Sequence, residues 1–273
     1  MDANEIYERI VSEHRFVYIA GPCAVESADQ IMKAAKFLAG KGVPVLRGGA
    51  FKPRTDPESF QGLGAEALEY LAEAREETGM LVATELLDYD MMPLFQNTVD
   101  FIQIGSRNCQ NFPLLKKVGR MNKPVILKRG FGNTIDEFIK AARYITREGN
   151  SRVILVERGI RTFESATRFT LDVSSIPVIK EKSEFPIIVD PSHPAGFARY
   201  VEPLALAGVA AGADGLMVEV HPDPRKALSD PLQQINFKSF SGLMEKTETI
   251  IGSLGRVSLR LEERQRGQYD IYK

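Results

Sequence analysis

The stretch Phe16-Val17-Tyr18-Ile19-Ala20-Gly21-Pro22-Cys23 decides the fold class, because it shows how the first strand of the chain ends. Its first five residues are a short apolar run without clean two-residue alternation, which is typical of a strand buried on both faces of a parallel sheet. A doubly wound open sheet would usually continue such a strand into a glycine-rich dinucleotide-binding turn. Gly21-Pro22-Cys23 is no such fingerprint, so a closed barrel is favoured.

Seven further apolar runs follow the first, at intervals that leave room for a helix between neighbours. The eight runs are Phe16–Ala20, Val43–Arg47, Leu81–Thr84, Phe101–Ile104, Val125–Leu127, Val153–Val156, Ile187–Val189 and Gly215–Val218. The helical patterns are Ser27–Ala39, Gly64–Thr78, Tyr89–Gln96, Pro113–Val118, Thr134–Arg147, Phe169–Ser175, Pro203–Ala211 and Phe237–Leu254. This alternation predicts an α/β fold, a (β/α)8 TIM barrel.

The length of 273 residues fits one barrel with short N- and C-terminal appendages better than two domains. We expect a single catalytic domain over residues 1–273, with its core from about residue 16 to about residue 254 and no separate regulatory domain. The appendages are the residues before Phe16 and the polar segment after Leu254. Its polar tail, Glu263–Lys273, is expected to pack on a neighbouring subunit or to fray.

The composition restricts the classes of partner and compartment. Hydrophobic residues make up 44% of the chain and charged residues 26%, as in ordinary globular proteins. The formal net charge of -1 gives no global basic field, so nucleic acid and anionic membranes are not expected as partners. No apolar run is long enough to span a bilayer, and the polar N-terminus is not a signal peptide. Two cysteines do not make a disulfide scaffold, so a cytoplasmic location is expected.

Chemistry in such a barrel lies at the carboxyl ends of the strands, so the residues after each apolar run form the candidate site. One group of these residues is cationic and comprises Arg47, Lys52, Arg54, Arg107, Lys128 and Arg158. A second group offers metal-ligand atoms and comprises Cys23, His193, Glu219 and Asp230. Lys and Arg are rarely buried without a partner, so six cations at one rim predict a substrate with several negative charges.

Four motifs along the chain resemble those of one enzyme family. They are Gly21-Pro22-Cys23-Ala24-Val25-Glu26-Ser27, Lys52-Pro53-Arg54-Thr55, Asp190-Pro191-Ser192-His193, and Glu219-Val220-His221-Pro222 with Asp230-Pro231-Leu232-Gln233-Gln234. Together they closely resemble 3-deoxy-D-arabino-heptulosonate 7-phosphate (DAHP) synthases, in the shorter subfamily that is also similar to 3-deoxy-octulosonate 8-phosphate synthases. The resemblance implies a metal-dependent, aldol-type condensation of phosphoenolpyruvate with erythrose 4-phosphate and water, giving DAHP and phosphate. That reaction is the first step of the shikimate pathway to aromatic amino acids, and the family commonly forms homodimers or homotetramers.

The resemblance also assigns a metal site and catalytic residues. The implied ligands of a divalent ion are Cys23, His193, Glu219 and Asp230. A thiolate, an imidazole and two carboxylates tolerate several first-row ions, so Mn²⁺, Fe²⁺, Co²⁺ and Zn²⁺ all stay open. Cys23 and His193 are the implied catalytic residues together with Lys52, which would donate a proton to the alkoxide formed from the aldehyde.

The implied substrate contacts divide the cations between two phosphates. The resemblance implies that Arg107 and Arg158 bind the phosphate of phosphoenolpyruvate and that Lys128 bridges its phosphate and carboxylate. It also implies that Arg47 completes the cationic wall and that Glu85 lies beside the phosphate. It implies that Arg54 and Thr55 hold the phosphate of erythrose 4-phosphate by charge and by hydroxyl donation.

Three alternatives stay open from the sequence. The octulosonate branch uses arabinose 5-phosphate and usually has Ala-Asn-Arg-Ser where this chain has Lys52-Pro53-Arg54-Thr55, and its metal-free members have Asn in place of Cys23. Pro53, Thr55 and Cys23 therefore favour erythrose 4-phosphate and a metal. A Schiff-base aldolase is the second alternative, because Lys128 ends a central strand. A phosphosugar-binding barrel without catalysis is the third.

Overall fold

The computed structural model describes residues 1–261, and residues 262–273 of the expected C-terminal appendage lie outside the described residues. Its strands are β1 Val17–Gly21, β2 Val45–Arg47, β3 Leu81–Glu85, β4 Phe101–Ile104, β5 Val125–Lys128, β6 Val153–Glu157, β7 Ile187–Val189 and β8 Gly215–Glu219. Its helices are α1 Ala3–Ser12, α2 Ala28–Gly40, α3 Ala65–Thr78, α4 Met92–Phe95, α5 Phe112–Gly119, α6 Ile135–Thr146, α7 Ser175–Lys182, α8 Ser192–Ala195, α9 Ala198–Ala210 and α10 Phe237–Ser253.

The strands form a closed barrel in which each strand pairs in parallel with its neighbours in sequence, and β1 also pairs with β8. Ile19 of β1 stands opposite Val45 of β2 on one side and Met217 of β8 on the other. The (β/α)8 TIM barrel predicted from the sequence is confirmed. Over residues 1–261, no helix combines the length and the apolar character needed to cross a membrane.

Successive residues of each strand point alternately to the interior of the barrel and to its outer surface. Ile19, Val45 and Met217 belong to an interior cluster, whereas Tyr18 and Leu46 belong to the larger cluster that includes the buried side chains of the surrounding helices. The same two-residue period carries polar side chains to the inner carboxyl-terminal positions of the strands, namely Arg47, Glu85, Gln103, Lys128, Arg158, Asp190 and Glu219. The register of the barrel therefore brings these side chains together at one end.

The N-terminal appendage is helix α1, which packs against the barrel interior. Ile6, Tyr7 and Ile10 of this helix are buried and belong to the same cluster as the interior strand residues. The Tyr7 hydroxyl donates a hydrogen bond to the Ser151 carbonyl, 3.1 Å away, just before β6 begins. Helix α1 therefore covers the end of the barrel opposite the carboxyl ends of the strands.

The sequence predicted most helix starts well. Ser27 accepts a hydrogen bond from the Gln30 amide at the start of α2, and Thr134 forms a capping box with Glu137 at the start of α6. Tyr89–Gln96, predicted as one helix, is a 3-10 turn over Tyr89–Met91 followed by the short α4.

Two predicted helices were placed wrongly. Phe169–Ser175 is not a helix, because Thr170 pairs with Ile160 in an isolated bridge and α7 begins only at Ser175. The predicted helix Pro203–Ala211 starts five residues earlier, at Ala198, and has Pro203 in its interior. Burial of Val201, Ala205 and Val209 on one face explains the earlier start.

Candidate active site

A cavity of about 390 Å³ opens at the carboxyl ends of the strands. All six predicted cations line it, and so do Arg161 and Arg168, which the sequence analysis did not assign. Among the described residues the lining has eight Lys and Arg side chains but only three acidic ones, Asp56, Glu85 and Asp230. A chain with almost no net charge thus concentrates positive charge here, which suits a ligand with more than one anionic group.

Three of the four predicted metal ligands form a compact group, and one of them, Asp230, lines the cavity. One ligand atom from each of Cys23, Glu219 and Asp230 lies within 4.8 Å of the others. Cys23 follows β1, Glu219 ends the neighbouring β8, and Asp230 lies in the loop after β8 with a left-handed backbone φ of 49°. His193 lies beside this group, with its Nε2 atom 3.4 Å from Glu219 Oε1.

The donor set of this group fits a divalent cation. Cys23 and Glu219 are fully buried. Burial raises the pKa of the Cys23 thiol to about 12. Burial alone would also raise the pKa of Glu219, but the neighbouring His193, Arg47 and Lys52 lower it well below its usual range. The carboxylate is therefore ionised before any cation binds, whereas the thiol needs a cation to lose its proton.

Polar contacts surround the Cys23 sulfur on several sides. Lys52 Nζ donates to Cys23 Sγ and to the Cys23 carbonyl, both at 3.1 Å. Ser229 Oγ lies 3.2 Å from the sulfur, and Asp230 Oδ2 lies 3.5 Å from it. The sulfur is therefore held in place by groups from two different loops.

Arg47 is directed at Glu219 rather than standing free in the cavity. Its Nη1 atom donates to Glu219 Oε1 at 2.9 Å, and its Nη2 atom donates to the Cys23 carbonyl at 3.3 Å. Gln233 Nε2 donates to the other Glu219 oxygen at 2.6 Å. Arg47 and Gln233 thus fix the orientation of the Glu219 carboxylate between them.

Asp190 links two predicted site residues. Its Oδ2 atom accepts a hydrogen bond from Lys128 Nζ at 2.6 Å. The same oxygen lies 2.6 Å from His193 Nδ1, at an angle outside that of a regular hydrogen bond. Burial alone would raise the pKa of Asp190, but His193 and Lys128 lower it well below its usual value. Burial lowers the pKa of Lys128 and of His193 despite this carboxylate.

Arg158 is a buried cation with open hydrogen-bonding capacity toward the cavity. Its guanidinium stacks on Phe169 at 4.2 Å and on Phe131 at 4.9 Å from the ring centroids. Within residues 1–261 it forms no ion pair with a carboxylate. Burial lowers its pKa to about 10, which leaves it charged at neutral pH. This combination suits a bound anion.

The loop Lys52–Thr55 meets the opposite wall of the cavity. Arg54 Nη1 donates to Ser229 Oγ at 2.8 Å, and Arg107 Nη2 donates to Thr55 Oγ1 at 3.3 Å.

Glu85 packs so closely on Gly105 that a Cβ atom at position 105 would lie 1.9 Å from Glu85 Oε1. Glycine at position 105 is therefore needed for Glu85 to keep its place.

With this geometry established, comparison with known proteins identifies the family. The sequence profile described as the DAHP synthetase I family matches residues 5–252. The chain belongs to this family. It is 55% identical over 240 residues to the phospho-2-dehydro-3-deoxyheptonate aldolase of Thermotoga maritima, covering 88% of this chain and 71% of that protein. It is 30% identical over 260 residues to the 2-dehydro-3-deoxyphosphooctonate aldolase of Syntrophobacter fumaroxidans, covering 89% of each.

Solved structures agree with the placement in the DAHP synthetase I family. The crystal structure of the Thermotoga maritima phospho-2-dehydro-3-deoxyheptonate aldolase superposes with a TM-score of 0.86 at 53% identity, covering 89% of this chain and 71% of that one. A truncated form of the 3-deoxy-D-arabino-heptulosonate 7-phosphate synthase from the same organism gives a TM-score of 0.84 at 50% identity, covering 89% of each chain.

Several residues of the site in this DAHP synthetase I family member were missed by the sequence analysis. Arg168 lies 3.3 Å from Asp230 Oδ2 and donates to Gln233 Oε1 at 2.8 Å. Its loop between β6 and α7 offered no pattern that placed it at the cavity. Ser229, directly before Asp230, was also missed, although its neighbour was assigned. Only the folded contacts bring its hydroxyl to Cys23 and Arg54.

Proposed function

We propose that this chain is a 3-deoxy-7-phosphoheptulonate synthase, a transferase that condenses phosphoenolpyruvate with erythrose 4-phosphate and water. The products are DAHP and phosphate, at the first step of the shikimate pathway. The observation that carries the proposal is the cationic cavity of about 390 Å³, one of whose lining residues, Asp230, belongs to a largely buried group of metal-ligand side chains. Membership of the DAHP synthetase I family supports the same reaction.

The proposed metal ligands are Cys23, His193, Glu219 and Asp230. The burial and spacing of the thiol and the two carboxylates support this set, and the position of His193 beside Glu219 allows it to join them. A divalent ion held there would polarise the aldehyde oxygen of the aldose phosphate. Mn²⁺, Fe²⁺, Co²⁺ and Zn²⁺ are each compatible with a mixed donor set.

The proposed phosphoenolpyruvate site uses the cations on the β4, β5 and β6 side of the cavity. Arg158 and Arg107 would bind its phosphate, and Lys128 would bridge the phosphate and the carboxylate. Glu85 lies beside this phosphate in the proposal, and Arg47 extends the cationic wall while holding Glu219. Fixed positive charge offsets the repulsion between two polyanionic substrates as they approach each other.

The proposed erythrose 4-phosphate site is the Lys52–Thr55 loop, where Arg54 and Thr55 would bind the phosphate. C3 of phosphoenolpyruvate bonds to the aldehyde carbon, water adds at C2, and phosphate leaves by cleavage of its C–O bond. Lys52 donates a proton to the alkoxide that forms from the aldehyde. Burial alone would lower the pKa of Lys52, but Cys23 and the nearby Glu219 raise it, so the amine has a proton to give.

Neither catalytic alternative has comparable support. The octulosonate synthase of the comparison is a more distant relative than the Thermotoga enzyme. A Schiff-base mechanism would need Lys128 as a free amine, but its Nζ is held 2.6 Å from Asp190. Borohydride treatment with a keto-acid tests this directly, since covalent trapping at Lys128 with activity surviving EDTA would contradict the metal mechanism.

The setting of the enzyme is proposed on separate grounds. The barrel of residues 16–254 is the catalytic domain in this proposal. A free thiol ligand at Cys23 suits a reducing compartment such as the cytoplasm. A homodimer or homotetramer would cover exposed apolar side chains such as Phe163 and Leu232, and light scattering after size-exclusion chromatography measures the oligomeric state.

The proposed reaction is tested by following phosphate release from phosphoenolpyruvate with each aldose phosphate. We expect rapid release with erythrose 4-phosphate and much slower release with arabinose 5-phosphate. Binding of phosphoenolpyruvate without phosphate release would instead favour the non-catalytic phosphosugar-binding barrel. A preference for arabinose 5-phosphate would favour the octulosonate reaction.

A further inference from the structure

Ser229 lies between the two halves of the proposed active site. The residue is fully buried, and its Oγ atom is 3.2 Å from Cys23 Sγ in the metal-ligand group. The same Oγ atom accepts a hydrogen bond from Arg54 Nη1 at 2.8 Å. One hydroxyl therefore contacts both the proposed thiol ligand and the proposed ligand of the aldose phosphate.

The donor and acceptor capacities of these groups give the contacts a direction. A guanidinium can only donate, so Ser229 must be the acceptor in its contact with Arg54. A serine hydroxyl has one hydrogen, and a thiolate bound to a cation has none of its own. In the metal-bound protein Ser229 must therefore donate to the Cys23 sulfur, and the order of donation is Arg54 to Ser229 to Cys23.

The backbone around Ser229 is fixed from both sides. Gln234 Nε2 donates to the Ser229 carbonyl at 2.8 Å, and the Gln234 side-chain oxygen accepts from the Cys23 amide at 3.0 Å. The preceding Leu228 amide donates to Glu26 Oε1 at 2.9 Å. The loop after β8 is thus tied to the loop after β1, which holds the Ser229 backbone beside Cys23.

We propose that Ser229 is a positioning residue that couples binding of the aldose phosphate at Arg54 to binding of the metal ion at Cys23. The proposal rests on the proposed function, because it takes both sites from there. A phosphate on Arg54 restricts the guanidinium, which in turn keeps the Ser229 hydrogen aimed at the sulfur. Because coupling between two ligands is reciprocal, the aldose phosphate tightens metal binding by the same factor as the metal tightens aldose phosphate binding.

The test compares Ser229→Ala with wild type and with Ser239→Ala, a matched control on the exposed first turn of α10. Calorimetry of Co²⁺ binding gives the Kd, and the thiolate-to-cobalt absorption band reports the sulfur environment. We expect Ser229→Ala to weaken Co²⁺ binding by about tenfold, as for other groups that orient metal ligands, and to shift the band. Erythrose 4-phosphate should tighten Co²⁺ binding in wild type and in Ser239→Ala, but not in Ser229→Ala.

A double-mutant cycle with Arg54→Ala separates coupling from simple structural damage. Arg54 touches neither the sulfur nor the carboxylates of the metal-ligand group in the contacts described, yet its loss should weaken Co²⁺ binding several-fold through Ser229. The Arg54→Ala change should then have no further effect on the Co²⁺ Kd in the Ser229→Ala background. If Ser229→Ala does not fold, Arg54→Ala alone carries the test.

The outcomes distinguish this inference from the proposed function. Unchanged Co²⁺ affinity in Arg54→Ala, or additive effects of the two substitutions, would overturn the coupling. Absence of Co²⁺ binding or of phosphate release in the wild-type protein would contradict the proposed function itself. A wild-type enzyme that binds Co²⁺ equally well with and without erythrose 4-phosphate would also overturn the coupling.

Discussion

Replacing Asp190 with Asn tests the buried charge pair that links the proposed phosphoenolpyruvate and metal sites. Asp190 and Lys128 are almost completely buried, and their charged atoms are 2.6 Å apart. Two unit charges at that distance attract by about 6 kcal/mol at an effective dielectric constant of about 20. Most of this attraction offsets the cost of burying both ions, so the pair itself adds little to the free energy of unfolding.

The Asn side chain can still accept hydrogen bonds from the Ser192 and His193 amides, but it leaves the Lys128 ammonium buried without a counter-charge. The loss in free energy of unfolding has an upper limit, because Lys128 can release its proton instead of staying charged. Releasing a proton at pH 7 from a group with an ordinary pKa of about 10.4 costs about 4.6 kcal/mol. We therefore expect Asp190→Asn to lower the free energy of unfolding by about 3–4 kcal/mol at pH 7.

The pH dependence of this loss has a definite sign. Burial lowers the pKa of Lys128, and the negative charge of Asp190 raises it. Without Asp190 the pKa of Lys128 therefore falls further below its value in the unfolded chain. Between those two pKa values the unfolded chain binds more protons, so the variant gains stability as pH rises. The cost of deprotonating Lys128, which sets the upper limit of the stability loss, falls by about 1.4 kcal/mol per pH unit, to about 2 kcal/mol at pH 9.

Urea unfolding, monitored by circular dichroism, measures the free energy of unfolding at pH 7 and at pH 9, with Asp223→Asn as the control. Asp223 lies in the loop after β8 and pairs with the exposed Arg225, so its replacement should change the free energy of unfolding by less than about 0.5 kcal/mol. The Asp190→Asn variant should also show a raised KM for phosphoenolpyruvate, because Lys128 loses its orienting partner. Equal stability of wild type and Asp190→Asn at pH 7, or a deficit that does not shrink at pH 9, would refute this reasoning.

Three further predictions concern the proposed ligands. Cys23→Ala should lose metal binding and nearly all activity while circular dichroism shows an intact fold, and normal turnover in this variant would remove Cys23 from the ligand set. Arg54→Ala should raise the KM for erythrose 4-phosphate far more than that for phosphoenolpyruvate, whereas equal effects would place its loop elsewhere in the site. Metal binding at neutral pH should release about one proton, from Cys23, because the pKa of His193 and of Glu219 is already lowered. Calorimetry in buffers of different ionisation enthalpy counts that proton, and a count near zero would show that the thiol does not ligate.

The barrel and much of the cavity lining could be predicted from the sequence for a simple geometric reason. Seven of the eight strands carry a charged or polar side chain at or next to their last residue, and the exception is β1, which ends at Gly21. This side chain shares the two-residue period of the inward-facing apolar residues, as Lys128 shares that of Ile126. The neighbouring Arg129 is out of phase and pairs with Glu157 at 2.8 Å on the other side of the sheet. The strand-end cations Arg47, Lys128 and Arg158 could therefore be assigned to the cavity from this period. All six predicted cations line the cavity, including the three that lie in loops or a 3-10 turn, Lys52, Arg54 and Arg107.

Residues in the loops followed no such period. Arg168 lies in the segment between β6 and α7 where a helix was wrongly predicted, and its partner Asp230 is far away in sequence. Likewise, no spacing rule brings Ser229 to Cys23, since that contact depends on how the loops after β8 and β1 pack. The ion pair between Arg47 and Glu219 was also unexpected, because the sequence analysis assigned all six cations to an anionic substrate.

The most direct test of the central claim is to titrate metal-stripped enzyme with a divalent ion while measuring phosphate release from phosphoenolpyruvate and erythrose 4-phosphate. We expect almost no activity in EDTA, followed by a linear return of activity that levels off at about one bound ion per chain. The same titration with Cys23→Ala should restore nothing. Full activity of the wild-type enzyme in EDTA, with no metal found by elemental analysis, would contradict a metal-dependent reaction.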